Sequence, residues 1–160
     1  MIEETIEQLI SMVKSTQKQI SALLDSVADE QDLLPDSGEW SFRYIAAHLA
    51  TVDEECYLYR VEHFAAGEKP FFESYFNTGR DFSQYDLRES LHQWADTRQK
   101  MIDYVHLLPE ESLSLTGTHE AFGTITILDV FRMMLDHDRE HLQHLEQSIH
   151  RIKAKTPPDL

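Results

Sequence analysis

The chain has 160 residues, with 29 acidic and 14 basic side chains, for a formal net charge of −15. Its length suits one domain, and its 41% hydrophobic and 27% charged residues exclude a disordered chain. The acidic excess disfavours a nucleic-acid or anionic-membrane partner, because those are held by Lys and Arg neutralising phosphate.

Five glycines and five prolines are too few for the many turns of a β sandwich or barrel. A single cysteine, Cys56, excludes an internal disulfide and a multi-cysteine zinc finger. No basic leader with an apolar stretch opens the sequence, and no run of 18 apolar residues occurs. The expectation is a cytoplasmic protein with a small-molecule substrate and no nucleic-acid or membrane partner.

Four stretches carry the helical period. The first covers residues 2–28, with Ile2, Ile6, Leu9, Ile10, Val13, Ile20, Leu23, Leu24 and Val27 as its apolar set. A loop follows from Asp29 to Trp40, with its turn at Pro35-Asp36-Ser37-Gly38. Ser41 is a natural N-cap for the second helix, whose stripe is Phe42, Ile45, Leu49, Val52, Cys56 and Tyr59. Gly67 closes it, with Pro70 beyond.

Residues 68–84 form a long aromatic connection: Phe71, Phe72, Tyr75, Phe76 and Phe82. It reads as a cap on the core rather than a substrate lid. The third helix covers 84–107, capped by Ser83 and closed by Pro109. A second loop spans 109–124. The fourth helix opens at Thr126, where Thr126-x-x-Asp129 resembles a capping box, and runs to Lys153. The expected architecture is an all-α four-helix bundle with long connections, one domain over residues 1–154 and a flexible tail over 155–160.

Nine histidines are present, and their placement points to chemistry. His137 and His141 stand four apart, so they share one helix face and can converge on one metal ion. On a wheel with Ile127 at zero, His141 falls at about −40° and His137 at about −80°, on one edge of the apolar stripe. His144 lies further out. Asp138 falls in the middle of the stripe, where a carboxylate requires a partner. That partner is either a metal-bound imidazole or an arginine.

His48 lies on the edge of the core face of the second helix. His48, His137 and His141 could therefore bind one divalent cation and leave a position open, the pattern of a catalytic site. Each also has a bland reading as a hydrogen-bonded structural histidine. Cys56 reads as inert packing. His63, His92, His106, His119 and His150 read as surface or loop residues. A di-iron carboxylate centre needs two Glu-x-x-His motifs and two further glutamates facing inward, and on the fourth helix only Asp138-x-x-His141 approaches that form.

Two segments resemble the DinB-like superfamily, particularly its YfiT-like branch of metal-dependent hydrolases and thiol transferases. One is Glu39-Trp40-Ser41-Phe42-Arg43-Tyr44-Ile45-Ala46-Ala47-His48-Leu49. The other is Phe122-Gly123-Thr124-Ile125-Thr126-Ile127-Leu128-Asp129 with His137-Asp138-Arg139-Glu140-His141-Leu142-Gln143. His144 departs from the pattern, standing where that family carries glutamine. The resemblance implies a four-helix bundle with a crossover connection and a metal held by His48, His137 and His141. It implies zinc or nickel, sometimes iron or manganese, a homodimer, and S-transfer with a low-molecular-weight thiol or hydrolysis as the activity. A non-catalytic metal- or ligand-binding bundle is the competing class.

Overall fold

The computed structural model describes residues 4–34, 40–67, 69–77 and 79–155. Five helices account for four rods: α1 (Ile6–Ser26), α2 (Phe42–Val52), α3 (Tyr59–Ala65), α4 (Leu87–Leu107) and α5 (Ile127–Lys155). A six-residue π-helical turn, Asp53–Leu58, joins α2 to α3, so that together they make the second rod. The turn at Pro35-Asp36-Ser37-Gly38, Ile2 of the first stripe and the tail 156–160 lie outside the described residues.

The helix starts follow from capping chemistry. Thr5 and Gln8 form a reciprocal capping box at α1. The Ser41 side chain accepts from the Tyr44 amide at 3.1 Å, as expected at α2. Thr126 and Asp129 exchange bonds at the head of α5. The cap of α4 is Asp86 rather than Ser83: its carboxylate accepts from the Glu89 amide and from Gln31. Ser83 instead donates its own amide to Asp81 in a tight turn. Gly67, at φ 73°, ends α3 in the left-handed conformation that glycine adopts without steric cost.

The segment expected as a featureless loop at 109–124 contains a short 3₁₀ helix, Glu110–Ser114, and two strands, β2 (Gly117–His119) and β3 (Gly123–Ile125). They pair antiparallel, and β1 (Phe71–Phe72) from the aromatic connection adds parallel to β2, with Phe72 opposite His119. This small sheet ties the two long connections together. Gly117 allows the approach, since a Cβ there would sit 2.9 Å from Pro70.

The core has two apolar parts. One gathers Leu9, Val13, Val61, Phe64, Met101, Phe131 and Met134; the other gathers Ile20, Leu24, Phe42, Leu49, Trp94, Leu145 and Ile149. A buried ionic layer lies on the same helices at the junction. Arg98 of α4 binds both oxygens of Asp53, at 2.9 and 2.8 Å, and also binds Asp138 of α5. All three side chains are at most 2% exposed. The arginine is therefore the partner that Asp138 required, and no imaging of Asp138 onto an imidazole is needed to explain its burial.

The π turn changes what faces inward. A π turn inserts one residue into the helical ladder and rotates everything after it. Cys56 is still buried, as the α-helical stripe expects. Tyr59, expected in the core, is 49% exposed, and Arg60 is turned inward at 5%.

Candidate metal centre

The α2 and α5 edges meet where the wheel places them. His48 Nε2 lies 3.2 Å from His137 Nε2, and His141 Nε2 lies 3.2 Å from the same atom. Ligand atoms of all three residues fall within 4.8 Å of one another. A tetrahedral ion with Zn–N bonds near 2.0–2.1 Å separates its nitrogens by about 3.3 Å. The cluster thus has the dimensions of such a site.

Its protonation also fits. Burial pushes His137 down to about 4 and His141 to about 3, reinforced by the neighbouring imidazoles, and burial lowers His48 as well. At neutral pH all three rings are uncharged, the form that binds a cation. The tautomer of His48 is fixed by Asn77, whose Oδ1 accepts from Nδ1–H at 2.6 Å. The lone pair is left on Nε2, facing the other two rings.

Asn77 is buried and comes from the aromatic connection, which therefore folds back to the site. Trp40, just before the Ser41 cap, lies against His48 with ring centroids 4.7 Å apart and stacks near His141 at 6.1 Å. Tyr57, in the π turn, meets His137 edge-on. Asp138 directs its carboxylate to Arg98, not to an imidazole.

The cluster opens into a cavity of about 1180 Å³. Its wall includes Trp40, Tyr57, Phe76 and Phe122, together with the titratable Glu140 and His144. The aromatic connection thus serves twice: Phe72 and Phe82 are buried as a cap, while Tyr75, Phe76 and Asn77 line the cavity. Cys56 also reaches the wall, but burial raises its thiol to about 11, which leaves it protonated and unreactive. His119, expected on the surface, is 3% exposed and lines the same cavity.

A family model of the DinB superfamily matches residues 12–145, well over half of the sequence. The chain belongs to the DinB superfamily. Among solved structures, this DinB-superfamily chain is similar to YfiT from Bacillus subtilis, described as a probable metal-dependent hydrolase with an unusual four-helix bundle topology. The TM-score is 0.79 at 18% identity, covering 96% of this chain and 92% of YfiT. At that identity the likeness shows a shared fold. None of the curated proteins compared with the sequence matches it. No helix among the described residues is long and apolar enough to cross a membrane.

Two expected results arise from this geometry. Asn77→Ala frees the His48 ring and weakens zinc binding by about 10- to 100-fold, the usual cost of losing a hydrogen bond behind a ligand. Competition against a chromogenic zinc chelator reads this directly, and unchanged affinity would show that Asn77 does not orient His48.

The second result concerns pH. The depressed histidines take up protons in the unfolded chain below about pH 6.5, but in the native chain only at lower pH. Their stabilisation is complete above that value and is lost as pH falls towards 4. Asp53 and Asp138 act oppositely, because burial raises them despite Arg98. Three histidines outnumber two carboxyls, so the net slope keeps the histidines' sign, and each net proton is worth about 1.4 kcal/mol per pH unit. Urea unfolding of metal-free protein should therefore show stability falling from pH 6.5 to 5. A flat or rising profile would contradict neutral, buried rings.

Proposed function

We propose that this chain is a metal-dependent enzyme in which His48, His137 and His141 hold one divalent cation, zinc or nickel first, and that it transfers a small electrophile to a low-molecular-weight thiol. The observation that carries the reading is the convergence of three neutral imidazoles at a cavity of about 1180 Å³. That volume exceeds the roughly 300–1,000 Å³ of an ordinary small-ligand pocket, leaving room for a cosubstrate beside the electrophile. When bound, the cation supplies Lewis acidity that favours the anionic form of a water or thiol.

The chain's own residues do the rest. Asn77 holds the His48 lone pair in place, and Trp40 packs the His48 and His141 rings. The aromatic part of the wall, Trp40 and Tyr57, gives the histidine cluster an apolar side. Glu140 and His144, exposed on the wall, are placed to accept the proton that the nucleophile loses.

Hydrolysis is the second reading, supported by the description of YfiT. One experiment separates them. Zinc- or nickel-loaded protein is given an electrophilic aryl ester or halide, with and without a low-molecular-weight thiol, and the products are identified by mass spectrometry. A metal-dependent thioether or thioester supports transfer. A product of water alone supports hydrolysis. No metal-dependent turnover of either kind returns the chain to the class of non-catalytic binding bundles.

A further inference from the structure

Arg60 is a buried cation without an anion. The side chain is 5% exposed and lines the cavity. Among the described residues no carboxylate lies within ion-pair distance of it. Its Nη2 donates to the Glu73 carbonyl at 3.3 Å, and Nη1 faces the Met133 sulfur at 3.7 Å. The guanidinium also lies 5.6 Å from the centre of the Phe72 ring, but a carbonyl, a thioether and an aromatic face do not neutralise a buried charge, so its retention calls for an anionic partner.

His119 sharpens the requirement. Its Nδ1 receives the backbone N–H of Ala121 at 2.9 Å and that of Phe122 at 3.3 Å. A backbone amide can only donate, so Nδ1 carries the lone pair. Burial and the Arg60 charge both disfavour protonation of this ring. The neutral ring therefore carries its hydrogen on Nε2. That atom lies 3.2 Å from Arg60 Nη2, which also can only donate. The two groups cannot bond to each other. Two donors, one of them charged, converge on the cavity with no acceptor between them.

We propose that Arg60 and His119 form a subsite for the carboxylate of a small-molecule substrate or cosubstrate. A guanidinium beside a neutral imidazole offers one positive charge and parallel N–H groups, matching a planar monoanion. A phosphate dianion would leave excess negative charge in a cavity also lined by Asp136 and Glu140, where Asp129 is already paired with Arg132. Met133, which touches Arg60, precedes His137 by one turn, about 6 Å along the helix. One molecule can thus place its carboxylate on Arg60 and its reacting end at the three histidines. That assignment of ends rests on the enzyme reading above, whereas carboxylate binding itself does not.

The test uses the full-length chain, metal-free, with phenylacetate and inorganic phosphate as probes. Calorimetry should show phenylacetate binding that weakens at least tenfold in Arg60→Gln and is partly kept in Arg60→Lys. In ¹⁵N-histidine spectra of the wild type, His119 should carry its proton on Nε2, and that signal should move on titration. The spectra decide the matter on native protein even if Arg60→Gln fails to fold. An Nδ1–H tautomer, no phenylacetate binding, binding indifferent to Arg60, or phosphate binding more tightly would each overturn the subsite. Failure of the wild type to bind zinc, with phenylacetate binding intact, would remove the metal-enzyme reading alone.

Discussion

Arg98→Ala should lower the unfolding free energy by about 3–5 kcal/mol, the usual cost of removing one partner from a buried ionic cluster. That is a large share of the 5–15 kcal/mol typical of a domain. The cause is specific. Among the described residues Arg98 is the one cation paired with both Asp53 and Asp138, and all three are shielded from water. Without it two carboxylates face each other in the core, alongside Trp94, over whose ring the guanidinium lies at 4.8 Å. Each must then be protonated or exposed. The loss should be greater at pH 8 than at pH 5, where protonation relieves the repulsion. Asp53→Leu with Arg98→Met and Asp138→Leu removes every charge together and should recover most of the loss. Urea titrations of these variants check both statements. A change under 1 kcal/mol for Arg98→Ala would mean that water reaches the cluster.

His137→Ala should reduce zinc affinity by roughly two to three orders of magnitude. Apparent zinc-binding energies of about 10–16 kcal/mol, divided among four ligands, give about 3 kcal/mol or more for each. His137 is the best choice because its Nε2 stands between those of His48 and His141. Elemental analysis of untagged protein, wild type beside variant, should find about one divalent ion per chain only in the wild type. Equal content in both would remove the three-histidine centre as the binding site. The variant should also be less sensitive to acid, because one depressed imidazole is gone.

The helices were legible because their periodic apolar faces are long. The same wheel brought His48, His137 and His141 to adjoining edges, where the structure places them together. It also showed that Asp138 needed a partner. Applied to the third helix, it would have found Arg98, which falls four residues after Trp94 and three before Met101, within the apolar stripe. Other features left no pattern. Strands of two or three residues are too short to display alternation. Asn77 lies in a connection, and its reach to His48 depends on how that segment folds back. His119 was unreadable for the same reason: its burial comes from a sheet that joins two distant loops. Tyr59 was misplaced in the core, and Arg60 was passed over, because a wheel with a fixed angle assumes an unbroken α-helix.

The π turn also affects how relatives are compared. A DinB-superfamily member with an uninterrupted second helix would align with this chain through His48 and Val52. Beyond Leu58 its positions would be displaced by one residue in space, although the letters still matched without a gap. Arg60 would be paired with a residue that points elsewhere, and Tyr59 with one that points inward. Correspondence along this rod is therefore sound before Asp53 and requires superposed coordinates after Leu58.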